Sequence, residues 1–362
     1  MIKSTPLVSI LSPSFNHEQY ISCFMDSLLA QSNPNWELII VDDCSSDNNV
    51  AEIKKYSDSR IKLIEHTYNK GINAAINDAF SVSSGKYLSF FASDDALDEH
   101  YVEDIINTME QNPNTGVVYY ALQCMDNNSN IIENKFLHCI ARDKYQALNK
   151  SFYQGNSLVS PGMCFRRELF EKIYPLNLAL SQFQDYKLHI DLALLSDIYV
   201  SDKALVKYRI PSEKSGISFM SPRALVQTQL EENILMDSFL EIKDIKTLED
   251  IFGDDLKPYG KISDDLIPYI LGNLALNSPN QYKKIWGYNQ ISRFLSSQEN
   301  YDKVNKLYGF CYKDFLHLAD KFITNDSLTQ YKKKYKKYKK LFKLMVLVTA
   351  FLLIGIIIML IS

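Results

Sequence analysis

The sequence predicts an α/β protein built on a mostly parallel, Rossmann-like sheet, followed by a helical region and then an apolar helix. Three observations predict it. From Leu7 to about Ala121, short apolar runs alternate with segments of helical spacing, the pattern of repeated βαβ units. Two of these runs end in acidic doublets, Asp42-Asp43 after residues 37–41 and Asp94-Asp95 after residues 86–93. Behind a cluster of lysines, residues 344–361 carry no charge at all.

In chain order, the candidate strands are 7–12, 37–41, 61–65, 87–91 and 117–121, and the segments between them with helical spacing are 18–31, 50–57, 71–82 and 99–111. Asn16 and Asp98 stand where a short polar side chain caps the free N–H groups of a first helical turn. Asp126-Asn-Asn-Ser-Asn130 reads as a turn, and residues 135–157 as a loop or short helices over a cleft. A helix is expected over 183–196, with strand-like runs at 198–200 and 204–209. Residues 222–326 read as mostly helical, with Leu225, Val226, Leu230, Ile234 and Leu235 on one face. The expected division is an α/β domain over 1–220, a helical region over 221–330, a basic segment over 331–343 and a transmembrane helix over 344–361.

At 362 residues and 46% hydrophobic, the chain can bury a large core. Its net charge of -4 hides an asymmetry: Lys332, Lys333, Lys334, Lys336, Lys337, Lys339, Lys340 and Lys343 lie in one stretch, so the preceding body is strongly acidic. An acidic body argues against a nucleic-acid partner, whose electrostatic footprint is basic. Six scattered cysteines without Cys-x-x-Cys spacing fit reduced thiols in the cytoplasm. The first residues show no secretory pattern, which leaves the body in the cytosol. Eighteen apolar residues are at the lower limit for a membrane-spanning helix, and the lysines before them keep that flank on the cytoplasmic face of the inner membrane. Lysines interleaved with Tyr331, Tyr335 and Tyr338 also attract anionic headgroups, at about 1 kcal/mol per charge near the surface.

The doublets point to chemistry. Open α/β sheets bind ligands outside the carboxyl ends of their strands, so carboxylates delivered there by two strands can converge on one ligand. Clustered carboxylates suit Mn²⁺ or Mg²⁺, which are held by one or two such groups together with substrate phosphates. The expectation is a metal-assisted enzyme acting on a nucleotide.

A series of motifs in order then resembles family-2 glycosyltransferases of the GT-A fold over about the first 215 residues. Pro6-Leu-Val-Ser-Ile-Leu-Ser-Pro-Ser-Phe-Asn16 is similar to the family's first strand and turn. Glu37-Leu-Ile-Ile-Val-Asp-Asp-Cys-Ser-Ser-Asp47 is similar to its second, with Cys44 where a glycine usually stands. Asn69-Lys-Gly-Ile-Asn-Ala-Ala-Ile-Asn77, Ser84-Gly-Lys-Tyr-Leu-Ser-Phe-Phe-Ala-Ser-Asp-Asp95, Phe165-Arg-Arg-Glu-Leu-Phe170 and Gln184-Asp-Tyr-Lys-Leu188 resemble the later segments. The resemblance implies that Pro13, Phe15, Asn16 and Asp42 or Asp43 hold the base and ribose, and that Asn73 touches the donor. It implies that Asp94 lies near the ribose and Asp95 holds Mn²⁺ or Mg²⁺ at the diphosphate. Asp185 is then the catalytic base, taking the proton of an acceptor hydroxyl as it attacks the anomeric carbon, which inverts configuration.

The implied partners are a nucleotide-diphospho sugar, first of all a UDP-sugar, a glycan or lipid-linked acceptor, and the membrane. The chain departs from the family pattern at Ala92, which replaces the first aspartate of Asp-x-Asp-Asp, at Gln184, which replaces a glutamate, and at Pro211, where a histidine is often found. These departures leave an alternative expectation, a non-catalytic nucleotide-sugar-binding or scaffold protein of a glycan-assembly complex.

Overall fold

The computed structural model describes the backbone of residues 6–210, 221–323 and 325–361, and the side chains of these apart from 325, 326, 347, 348 and 350–361. The Pro211 position therefore lies outside the described residues. Two compact units are present, Met1–Phe294 and Leu295–Ser362.

The first unit opens with the expected alternation: β1 (Val8–Ser14), α1 (Ile21–Leu29), β2 (Trp36–Asp42), α2 (Asn49–Ile53), β3 (Ile61–Glu65), α3 (Ile72–Val82) and β4 (Tyr87–Phe90). The short β5 (Ala96–Leu97), α4 (Tyr101–Gln111), β6 (Thr115–Tyr119), β7 (Leu122–Met125), β8 (Ile131–Leu137), α5 (Lys144–Tyr153), β9 (Cys164–Arg166), α6 (Arg167–Ile173), α7 (Gln184–Leu195), β10 (Asp197–Val200) and β11 (Val206–Arg209) follow. Then come α8 (Pro222–Asp237), α9 (Ile245–Phe252), α10 (Ile267–Ala275) and α11 (Gln281–Phe294).

The main sheet has seven strands in the order β10-β6-β9-β4-β1-β2-β3. It is parallel except for β9, which inserts antiparallel between β4 and β6. A second sheet runs β5-β11-β7-β8. β1 and β2 are buried on both faces, as parallel strands covered by helices must be. On one face Val8, Ile10, Leu38 and Ile40 pack with Phe24, Met25 and Leu28 of α1 and Tyr101, Val102 and Ile105 of α4, and α3 packs on β1 and β2. Each such apolar side chain contributes about 1.5–3 kcal/mol on burial.

Three expectations are corrected. Asn16 and Asp98 do not cap helices: α1 and α4 begin several residues later, with Tyr20 and His100 at their N-caps. Asn16 adopts φ +56° and its Oδ1 accepts from Ser46 N–H, while Asp98 accepts from His100 N–H inside the preceding turn. Residues 135–157 are neither an open loop nor helices alone, because β8 extends the second sheet through Leu137 before α5. On α8 the packed residues are Ala224, Glu231, Glu232, Leu235 and Met236, whereas Leu225, Val226 and Leu230 are exposed. Polar partners described below, not apolar periodicity, select that face.

The second unit holds α12 (Gln298–Tyr308), α13 (Tyr312–His317) and α14 (Asn325–Ile361). Among the described residues no helix is long and apolar enough to cross a membrane. The expected span over 344–361 falls in the later part of α14, where most side chains lie outside the described residues.

Candidate active site

β1, β2 and β4 are parallel neighbours, so their carboxyl ends share one edge of the sheet. A chain of hydrogen bonds ties those ends together. Asn49 Nδ2 donates to Asp42 Oδ2 at 2.8 Å and to Ser14 Oγ at 2.7 Å. Ser93 Oγ donates to Ser14 Oγ at 2.8 Å, and His17 Nδ1 lies 2.8 Å from Ser93 Oγ. Phe15, just past the end of β1, is 43% exposed, while Pro13 is half-buried within the strand.

Both members of the first doublet are committed to the protein itself. Asp42 accepts from Ser45 N–H, Ser45 Oγ and Asn49 Nδ2, which fixes the turn after β2. Asp43 accepts from His66 Nδ1 at 2.7 Å and from the N–H groups of Lys70 and Gly71, both at 2.8 Å, which fixes the start of α3. His66 in turn reaches Asp78 through Nε2 at 2.9 Å. Asn73 is turned to a neighbouring loop, its Nδ2 donating to Asn177 O at 2.7 Å.

The second doublet divides sharply. Asp94 keeps its side chain 34% exposed, with His17 Nε2 at 3.9 Å from Oδ2. Asp95 is 1% exposed and its Oδ1 accepts from Arg209 N–H at 2.8 Å. Burial, reinforced by the adjacent Asp94 charge, pushes the Asp95 carboxyl well above the usual carboxylate range, against the Arg209 N–H. Arg209 fixes this turn from beneath: its Nε donates to Asp94 O at 2.7 Å, Nη1 to Asp126 O and Asn127 O, Nη2 to Ser129 Oγ, and its guanidinium lies over the Tyr20 ring at 4.3 Å. The sequence offered Arg209 only as part of a strand and of the segment 208–218 that resembles the family's late loop, with no role of its own.

The fit of a divalent cation follows from this donor set. Among the described residues no group of three His, Cys, Asp or Glu side chains is close enough to hold a metal. One open carboxylate beside an imidazole still suits Mn²⁺ or Mg²⁺, because such ions take their remaining ligands from substrate phosphates and water.

Asp185 enters from the β4 side. The loop before β9 lies against the end of β4, with Gly162 N–H donating to Phe90 O and Tyr101 Oη donating to Gly162 O. Gly162 has φ +72°, and a Cβ there would meet Val206 Cγ2 at 2.3 Å, so this approach requires glycine. From that loop Ser160 Oγ donates to Asp185 Oδ2 at 2.7 Å, while Asp185 Oδ1 accepts from Tyr186 N–H at 2.6 Å. Asp185 occupies the first turn of α7 and is half-buried.

The entry to α7 is held by a residue the sequence did not single out. Glu231 of α8 accepts from Ser181 N–H and Oγ, both at 2.9 Å, from Gln182 N–H at 3.0 Å, from Phe183 N–H at 2.8 Å and from Gln227 Nε2 at 2.9 Å. Burial alone would raise its carboxyl, yet these donors hold it below the ordinary value. Beside it, Lys283 of α11 is buried, lies 3.5 Å from Glu232 and donates to Ser151 O, which also accepts from Tyr186 Oη. Sequence spacing could not reveal these contacts, since all but the Gln227 bond join positions 35 to 132 residues apart.

Comparison with known proteins gives a consistent picture. Residues 9–174 match the family model for Glycosyl transferase family 2. The chain is 41% identical over 131 residues to the UDP-Glc:alpha-D-GlcNAc-diphosphoundecaprenol beta-1,3-glucosyltransferase WfgD of Escherichia coli, a match covering 36% of this chain and 51% of that protein. It is 35% identical over 136 residues to the putative teichuronic acid biosynthesis glycosyltransferase TuaG of Bacillus subtilis, covering 37% of this chain and 53% of that one. The chain thus spans about half the length of these two relatives. In fold it is similar to S. aureus TarS, crystallised in complex with UDP-GlcNAc, with a TM-score of 0.54 at 17% identity over 87% of this chain and 91% of that one.

Proposed function

Because this chain belongs to glycosyltransferase family 2, with the GT-A fold, we propose that it is an inverting, Mn²⁺- or Mg²⁺-dependent transferase that moves a sugar from a UDP-sugar to a hydroxyl of a lipid-linked surface glycan at the cytoplasmic face of the membrane. The observations that support the reading are an open carboxylate, Asp94, at the strand-end edge and a second, half-buried carboxylate, Asp185, tied through Ser160 to the loop that lies against the end of β4.

In this reading Phe15 stacks on the base, and Pro13 and Asn16 shape the turn that receives it. Asp42 and Asp43 support the donor site by fixing its walls. Asp94, rather than the buried Asp95, would hold the cation with His17 beside it, and Asp95 keeps Asp94 in place through Arg209. A divalent cation held there by Asp94 would supply neutralisation of the charge on a departing nucleoside diphosphate. Asp185 takes the proton from the acceptor hydroxyl as the new bond forms on the opposite side of the anomeric carbon from the leaving group.

The name of the Escherichia coli relative, which specifies UDP-Glc and a diphosphoundecaprenol-linked acceptor, supports a UDP-sugar donor and a lipid-linked acceptor, and that of the Bacillus subtilis relative supports a surface polysaccharide as product. Membrane attachment belongs to the tail. Exposed Tyr331, Tyr335 and Tyr338 among eight lysines suit an anionic surface, and the uncharged run 344–361 would continue into the bilayer.

The test is turnover of a panel of UDP-sugars with a polyprenyl-diphosphate-linked sugar as acceptor, with Mn²⁺, Mg²⁺ or EDTA, reading the product's anomeric configuration by NMR. The proposal expects one preferred α-linked donor, loss of turnover in EDTA and a β-linked product. A retained configuration overturns inversion, and donor binding without turnover favours a scaffold.

A further inference from the structure

Behind Asp185 lies a set of side chains that the transfer reaction, as described above, does not use. His189 stands one turn after Asp185 on α7 and is 1% exposed. Its Nδ1 lies 3.1 Å from Asn156 Oδ1, and its Nε2 lies 3.2 Å from the same Ser160 Oγ that donates to Asp185. The ring is held edge-on by Tyr119, with centroids 5.3 Å apart.

The hydrogen-bonding roles can be worked out atom by atom. Leu158 N–H donates to Asn156 Oδ1 at 3.1 Å, which identifies that atom as the amide oxygen. An oxygen cannot donate, so Nδ1 of His189 carries the proton of the neutral ring. Nε2 is then a bare acceptor facing Ser160. Burial supports the neutral form: it pulls the imidazole down to about 4, against the opposing effect of Asp185. The other titratable groups nearby are Tyr119 from β6, Cys139 beside it, and Lys187 with Asp191 on α7, paired to each other at 2.6 Å.

Ser160 therefore has one proton and two acceptors. An ionised carboxylate outcompetes a neutral imidazole nitrogen for it, in keeping with 2.7 Å to Asp185 against 3.2 Å to His189. A protonated carboxyl is the weaker acceptor, and the preference reverses. We propose that Ser160 and His189 form a hydroxyl switch behind the base: when Asp185 takes the acceptor's proton, the Ser160 hydroxyl turns from Asp185 to His189 Nε2. In the step itself the acceptor O–H bond breaks as its oxygen bonds the anomeric carbon, the sugar–phosphate C–O bond breaks with its electron pair leaving on the diphosphate, and the proton ends on Asp185. Ser160 keeps its own proton and changes only its acceptor. Ser160 and His189 are positioning residues, and their role in catalysis rests on Asp185 being the base.

The test is imidazole ¹⁵N NMR on the full-length protein, with UDP-sugar turnover alongside. Neutral His189 should show the Nδ1–H tautomer at pH 7. Asp185→Asn, a neutral copy of the protonated base, should move the Nε2 resonance upfield, and adding Ser160→Ala should cancel that shift. In turnover, Ser160→Ala should slow the reaction about tenfold, the scale of one lost hydrogen bond, and move the acid limb of its pH profile, while Ser160→Thr, which keeps the hydroxyl, restores both. An Nε2–H tautomer, or an Nε2 resonance that ignores Asp185 and Ser160, overturns the switch even if a donor is turned over. The NMR signature in a protein that turns over no donor would instead sustain the switch and overturn the functional reading.

Discussion

Glu231 accepts five hydrogen bonds from one loop and one neighbour, and that loop leads directly into Asp185. Glu231→Gln keeps the shape but sets an NH₂ group against buried N–H donors, and leaving such donors unpaired costs about 1–3 kcal/mol each. The expected result is a destabilisation of at least about 2 kcal/mol by urea denaturation and a drop in turnover larger than any change in donor affinity. His189 makes a prediction about acid. Its folded value, near 4, lies below the ordinary 6.5, so between those two pH values the unfolded chain binds the proton that the buried ring refuses. Its contribution is present above about pH 6.5 and is lost as pH falls through about 4, and each pH unit crossed in that window removes up to about 1.4 kcal/mol. Denaturation curves from pH 7 to pH 4 should therefore be flatter for His189→Phe than for the unaltered protein.

Among the elements, the start of α3 shows how the strand-end edge is held by the protein's own hydrogen bonds. Gly71 sits at φ +86° and ψ 163°, a conformation that only glycine adopts without strain, and its N–H is held by Asp43. A Cβ there meets nothing within 4 Å, so Gly71→Ala isolates the backbone strain. It should cost about 1–3 kcal/mol in thermal or chemical denaturation. The alternation of the first 121 residues was legible because strands buried on both faces are continuous apolar runs, and β1 to β4, β6 and the helices between them stand where that pattern put them. Asp94 drew attention as part of an acidic doublet at a strand end, whereas Asp185 was singled out only by the resemblance of residues 184–188 to a family motif. Less legible were the antiparallel insertion of β9, which is only three residues long, and the packed face of α8, where Glu231 and Glu232 are buried because their partners lie on distant segments. The resemblance implies donor contacts for Asp43 and Asn73, and the hydrogen bonds they make here run to the protein itself.

For the whole molecule, the dominant physical fact is the separation of charge between an acidic body and a tail with eight lysines. Each lysine near an anionic bilayer contributes about 1 kcal/mol, an attraction that salt screens within a Debye length. Removing residues 331–362 should release the protein from vesicles containing anionic lipid while leaving UDP-sugar hydrolysis intact. Persistent binding of the shortened chain would place the attachment surface elsewhere.

The proposed glycosyl transfer turns on Asp185 acting as its base, and the decisive experiment is the turnover number of Asp185→Asn beside its affinity for UDP. Turnover should fall by about 10²–10⁴-fold with UDP affinity unchanged, since a general base acts on the acceptor and not on the nucleotide. Turnover within a few-fold of the unaltered enzyme would mean that Asp185 is not the base.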